Sequence, residues 1–343
     1  MRQMILMIDG VADGLNAKTG INLLRYQPEQ VAAAIDRAPG AATCGERYGI
    51  GGSVPVITGL DQAPPADTFV LAVAPAGGRI PVPWRPTILE AIGRGMDILS
   101  GMHQFLCDDA EFAAAAAAAG VKLIDVRRNN ARTVARRKGI DPRCLRIHTV
   151  GHDCNCGKMV VSLELARALT RAGHDAKFAP TGQTGIMIEG DGCPIDCVVA
   201  DFINGAAEQL VLDHQHHSIL LVEGQGSITH PMYSSVTLGL LHGCLPDGLI
   251  LCYRMGRTHH TNIDVACRPL AELRELYTTL GSVHYPCKVI AVGANTMGFC
   301  DAEARSECER VEAEMGLPTV DIVRHGPARL IEAVLALKRE LGK

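Results

Sequence analysis

Short apolar runs alternating with helix-length segments restrict this 343-residue chain to parallel α/β architecture. In the first part, MILMID (4–9), TFVLAVA (68–74), MDILSG (96–101) and KLIDV (122–126) read as strands. Helical segments are expected at about 84–95 and 107–119, the second containing the alanine run 113–119 and stopping at Gly120. The glycine-rich passage YGIGGSVPVITG reads as loop. These elements predict a Rossmann-like N-terminal domain over residues 1–126.

The segment 127–144, with Arg127, Arg128, Arg132, Arg136, Arg137, Lys138 and Arg143, reads as a solvated linker. Beyond it, LRIHTV (145–150), AKFAP (176–180), ILLVEG (219–224), GLILCY (248–253), KVIAVGAN (288–295) and TVDIV (319–323) read as strands. A last amphipathic helix is expected from about Pro327 to Leu341. A second domain over 145–343 follows. Its sheet should have five or six mainly parallel strands, with ligands at their carboxyl ends.

Composition removes several function classes. The net charge is −4, and no basic stripe is long enough to track a phosphate backbone, so nucleic acid is not an expected partner. No apolar run reaches the ~18 residues of a membrane span, and the first residues lack the length of a signal segment. A cytoplasmic protein acting on a small molecule, and forming a homo-oligomer, is the expectation. The 13 cysteines lack paired zinc-finger spacing and read as reduced, mostly buried thiols.

The stretch HTVGHDCNCGKM (148–159) carries the strongest chemical signal. An apolar strand feeds Gly151, His152, Asp153, Cys154, Asn155, Cys156, Gly157 and Lys158, and a helix opens at once. Main-chain N–H groups of such a loop cage an anion, the helix N-terminus adds positive potential, and the lysine supplies a cation. The spacing, Gly-x5-Gly-Lys, is one residue longer than the common phosphate loop, and Met159 stands where a hydroxyl usually binds magnesium. An ordinary strand-to-helix turn with an exposed lysine is the plainer alternative. Asp153 and Glu223, the latter ending a strand in LLVEGQGS, are the metal ligands if magnesium is used.

The loop and the VEG segment resemble the dethiobiotin synthetase branch of P-loop proteins, from which Met159 departs. A wider set of motifs resembles a family first known as a domain of unknown function, which includes D-glutamate N-acetyltransferase. The matching stretches include EAIGRGMDILSGMHQFL (90–106), VGHDCNCGKM (150–159), TGQTGIMIEG (181–190), EGQGSITHP (223–231), RTHH (257–260) and GANTMG (293–298). NAKTG (16–20) belongs to the same set. The resemblance implies a Rossmann-like domain followed by a P-loop NTPase-like domain, with acetyl-CoA as acyl donor. Coenzyme A carries a pyrophosphate yet donates its acyl group without phosphoryl transfer, which suits a loop lacking the magnesium hydroxyl. His152 and Cys156 depart from the residues expected in the acetyltransferase members.

Acyl transfer to an amine needs a base, oxyanion donors and cations for substrate carboxylates. His230, His259 and His103 follow expected strand ends and are the candidate catalytic histidines, against core or capping roles. Arg257 is the candidate carboxylate partner, against an exposed loop arginine. Thr181 and Gln183 form a strand-end turn beside the expected phosphate. Asn295 is placed to read an adenine edge, unless it caps a turn. Cys154, at a helix N-terminus near Lys158, offers a covalent route that needs more assumptions than direct transfer.

Three functions remain open. The first is acyl-CoA-dependent N-acetylation of a small acidic amino acid such as D-glutamate. The second is an ATP- and magnesium-dependent ligase or kinase. The third is a non-catalytic nucleotide or CoA sensor.

Overall fold

The computed structural model describes residues 2–9, 17–38, 40–73 and 75–343. Asn16 of NAKTG and Ala74 of TFVLAVA lie outside the described residues. The chain divides into two compact units, Met1–Arg128 with Ile186–Gly190, and Asn129–Gly185 with Asp191–Lys343.

The first unit is built on six strands: β1 Met4–Met7, β2 Val31–Ile35, β3 Val56–Ile57, β4 Thr68–Leu71, β5 Asp97–Ser100 and β6 Leu123–Asp125. Every pair is parallel and the order is β3-β2-β1-β4-β5-β6, a doubly wound sheet whose direction reverses beside β1. Two elements have no clear signature in the chain. Strand β2, VAAAI, is rich in alanine, a poor strand former, and is decided by its pairing with β1. The passage read as loop holds the edge strand β3. The alanine helix runs Ala110–Ala119, with Asp109 accepting from the Glu111 and Phe112 amides and Gly120 closing it at φ 70°.

The second unit has β7 Leu145–Gly151, β8 Ala176–Ala179, β9 Ile219–Val222, β10 Gly248–Arg254, β11 Lys288–Asn295 and β12 Thr319–Val320. They are again all parallel, in the order β12-β11-β10-β7-β9-β8. β7, β9 and most of β10 are buried along their length, because helices cover both faces. One face packs Leu249, Leu251 and Tyr253 against Leu273 and Tyr277 of helix Leu270–Gly281 and Val311 of helix Asp301–Met315. Further along the same face, Leu220 and Val222 pack against Leu210 and Val211 of helix Ile203–His214, while the other face carries helix Lys158–Arg171, whose Val161 lies beside Cys252 at Gly293. The run TVDIV is strand only through Val320. Asp321 then caps helix Ile322–His325 through the Val323 and Arg324 amides and also takes the Thr296 amide and hydroxyl.

The arginine-rich segment expected to be a solvated linker is instead strapped onto the second unit. Glu208, buried in helix Ile203–His214, accepts the Arg136 and Arg137 amides at 2.8 and 2.9 Å, and Gln215 takes the Asp141 amide. Arg127 is buried, but Arg132, Arg136, Arg137 and Arg143 reach solvent while the main chain does the binding, so the charge run hides a structural backbone. Gly205 admits the strap. A Cβ there would lie 1.9 Å from the Thr133 carbonyl oxygen. Gly205→Ala is therefore expected to destabilise the protein by about 3 kcal/mol. The midpoint of urea denaturation, compared with that of Gly93→Ala, where a Cβ meets nothing and φ is not positive, measures the effect.

Candidate active site

The loop after β7 wraps a buried carboxylate. Asp153 has no side-chain exposure. Its Oδ2 accepts from Arg257 Nη1 at 2.7 Å, the Thr261 amide at 2.9 Å and the Thr261 hydroxyl at 2.6 Å. Its Oδ1 faces His260 Nδ1 at 3.2 Å and His230 Nε2 at 3.6 Å. Burial alone would raise the carboxyl pKa. Hydrogen bonds from Thr261, the Cys154 amide and His260, with the Arg257 charge, hold it below the ordinary range instead. Asp153 is thus an anion that ties the turn 257–261 to the loop.

Glycines make the loop possible. A Cβ on Gly151 would sit 2.7 Å from Cys156 Sγ and 3.0 Å from Lys158 Nζ. One on Gly224 would sit 1.7 Å from the Thr149 carbonyl oxygen and 3.1 Å from the Lys158 side chain. Asn155 and Gly157 turn the chain with φ of 51° and 107°, and helix Lys158–Arg171 starts immediately. Lys158 is buried, and its ammonium donates to the Asp153 carbonyl at 2.7 Å with Cys156 Sγ at 3.6 Å. Tyr277, fully buried, donates to the Gly151 carbonyl at 2.8 Å and accepts the Ile228 amide at 3.0 Å, anchoring the start of the loop.

The remaining expected residues divide into several settings. His152 is buried and accepts the Arg254 amide on Nε2 at 3.1 Å; desolvation pushes its pKa down to about 4, so it is neutral near pH 7. Cys154 gives its carbonyl to Arg257, Cys156 is buried beneath the loop, and Met159 is half-buried on the first helical turn. Asn295 ends β11 beside Gly157, a Cβ on which would lie 3.7 Å from the asparagine side chain; its own Oδ1 accepts the Met297 amide. Thr181 and Gln183 are buried at the end of β8, at the start of helix Gln183–Glu189. The Thr181 hydroxyl bonds the Glu223 carbonyl.

Arg257, expected to meet a ligand carboxylate, binds the protein's own Asp153 and does so through one nitrogen. His259 is exposed, with Thr258 and Asp264 around its ring, whereas the adjacent His260 is the buried partner of Asp153. His103 lies in the first unit, exposed beyond β5, its amide on the Gly78 carbonyl.

The two carboxylates expected to serve magnesium are heavily engaged. Glu223 spends Oε2 on the Thr181 and Gly182 amides at 2.9 and 3.1 Å, and Gln225 reaches its Oε1 at 3.3 Å. A different trio of metal-binding residue types does converge. Asp153, Cys154 and His230 each place a donor atom within 4.8 Å of the others. The ring of His230, however, accepts the Met232 amide on Nδ1 at 3.2 Å. Its proton is therefore on Nε2, directed at the Thr261 carbonyl at 3.1 Å, and no lone pair there is available to a cation. Asp153 and His230 are each committed to partners elsewhere in the protein.

His260, Thr261, Arg254 and Tyr277 are parts of this site that reading the chain did not single out. RTHH offered two adjacent histidines and nothing to choose between them. No helix among the described residues is long and apolar enough to cross a membrane. All 13 cysteines are free, and seven of them are buried.

Two tests follow from this geometry. Asp153→Asn leaves the Arg257 guanidinium without its carboxylate and is expected to cost about 3 kcal/mol in equilibrium denaturation. His148, fully buried, and His152 both have pKa values lowered from 6.5 to about 4, chiefly by desolvation. The unfolded chain then takes up protons first, so their contribution is complete above pH 6.5 and is lost as pH falls towards 4. At pH 5 the loss is on the order of 2 kcal/mol for each. Denaturant midpoints at pH 7 and pH 5, with His148→Gln flattening the slope, read it directly.

Comparison with known proteins agrees with the two-unit division. Residues 41–129 match the Rossmann-like domain of a domain-of-unknown-function family, DUF1611_N, and residues 131–331 match its P-loop domain, DUF1611_C. The crystal structure of a DUF1611 family protein from Anabaena variabilis is similar, with a TM-score of 0.90 at 34% identity over 98% of this chain and 100% of that one. A D-glutamate N-acetyltransferase of Tritonibacter scottomollicae is 37% identical over 335 residues, 97% of this chain and 98% of the relative. Another D-glutamate N-acetyltransferase, from a Pseudoalteromonas species, is 39% identical over 280 residues, 79% and 84% of the two chains.

Proposed function

The chain belongs to the DUF1611 family, and from that membership we propose that it is an N-acetyltransferase using acetyl-CoA to acetylate a small acidic amino acid of the D-glutamate type. The observation that carries this reading is the near-complete, collinear similarity to D-glutamate N-acetyltransferase. A shared loop alone would carry far less, since one fold hosts many chemistries.

The site supports a donor that needs phosphate binding without magnesium. The loop supplies amides, a helix N-terminus and Lys158. Asp153 and Glu223, the oxygens a magnesium ion would need, already accept N–H and O–H donors, and Met159 replaces the usual hydroxyl. A pyrophosphate takes the Lys158 ammonium in exchange for a neutral carbonyl, a favourable trade for a buried cation. In the reaction the acceptor amine, once deprotonated, attacks the thioester carbonyl. The C–N bond forms, the C–S bond breaks, and the CoA thiol leaves.

Incubating the protein with acetyl-CoA and single D- or L-amino acids, and following free thiol, tests the reading. Thiol release is expected with D-glutamate, together with an acetylated product by mass spectrometry. Phosphate release from ATP and magnesium in a parallel assay, with no thiol release, would replace this reading by the ligase. Lys158→Ala should raise the KM for acetyl-CoA at least about tenfold, the worth of one charge-assisted contact.

A further inference from the structure

Among the arginines of the second unit that are withdrawn from solvent, Arg254 is set apart by what it lacks. Arg257 is held by Asp153, and Arg146 by Asp247 and the Leu245 carbonyl. The Arg254 guanidinium has no carboxylate or carbonyl partner among the described residues, although the residue is half-buried. Desolvation, and then the Arg257 charge, draw its pKa below the usual range. A cation partly removed from water beside a second cation is a cost that an incoming anion relieves.

Its position in the fold says which anion. Arg254 is the last residue of β10, at the carboxyl edge of the sheet. Its amide is bonded to His152, the second residue of the loop, and it pairs in register with Asn295, which lies against Gly157 near the other end of the loop. Alternation along the strand decides the face. Tyr253 points to Glu307 on helix Asp301–Met315, whereas the Cys252 thiol and Val161 of helix Lys158–Arg171 lie together where a Cβ on Gly293 would be. Two residues from Cys252, the Arg254 side chain leaves the sheet on the face of the loop and its helix.

We propose that Arg254 holds a phosphate group of the ligand seated in the 151–158 loop. The identity of that ligand as an acyl-CoA rests on the function proposed above; the presence of an unpaired cation at the loop does not. Guanidinium geometry suits two phosphate oxygens at once, so Arg254 sets affinity for the donor and leaves the acyl-transfer step untouched.

Arg254→Gln and Arg254→Lys, first compared with the parent protein by thermal melting, test this. In calorimetric titration with CoA, Arg254→Gln is expected to bind about tenfold to a hundredfold more weakly, with Arg254→Lys in between. In initial rates the KM for acetyl-CoA should rise by the same factor, while kcat and the KM for D-glutamate change by less than about twofold. A raised KM for D-glutamate with CoA binding unchanged would assign Arg254 to a substrate carboxylate and overturn the proposal. Unaltered binding and kinetics would make it a solvated strand end and overturn it equally. If the parent protein binds ATP and not CoA, and Arg254→Gln weakens ATP, the phosphate role stands and the acyl-donor reading falls.

Discussion

A carboxylate with no exposure has to be neutralised from within, and Asp153 imposes that demand on the whole ligand-facing edge of the second sheet. Each of its oxygens is met by groups distant in sequence, more than 100 residues away in the case of Arg257, His260 and Thr261. The turn between β10 and the helix Leu270–Gly281 is therefore not a free connection. It is pinned over the loop by charge, because withdrawing Arg257 would leave an uncompensated anion in a dry site. Thr261 strengthens the pin by giving both amide and hydroxyl to one oxygen.

The same demand shapes the chemistry available. With Asp153 turned toward Arg257, Thr261 and His260, its charge is compensated from within the protein. Glu223 is bound in the same manner to the turn after β8. In the proposed reading, the cations offered to a ligand at the loop are Lys158, whose ammonium meets the Asp153 carbonyl and the Cys156 thiol, and Arg254. A loop stripped of magnesium oxygens but furnished with cations and a helix N-terminus suits an anionic handle on a substrate whose reacting atoms lie elsewhere. In the proposed function, that property links the missing hydroxyl at Met159 to acyl transfer.

Much of this was legible in the chain. The strands of the second unit announce themselves as apolar runs; KVIAVGAN coincides with β11, and GLILCY with β10 short of Arg254. The loop from Gly151 to Lys158 was readable because glycine and lysine are required there by backbone geometry and charge. The alanine-rich β2, the edge strand β3 and the strap over 129–143 were not readable. Their conformations come from neighbours: β1 for β2, and Glu208 and Gln215 for the strap. Histidine roles were the least legible. His259 and His260 are adjacent and chemically identical, and only the docking of their turn onto Asp153 buries one and exposes the other.

The sequence alone determined two parallel α/β units and a phosphate-type loop, since apolar periodicity and glycine placement act locally and depend little on distant residues. Tertiary structure alone decided which cation faces the protein and which faces a ligand. Arg254 and Arg257 stand three residues apart in equivalent-looking loop sequence. A guanidinium is spoken for only when an acceptor of the protein comes within hydrogen-bonding reach, and for Arg257 that distance is set by how β7 and β10 pair, not by any local pattern.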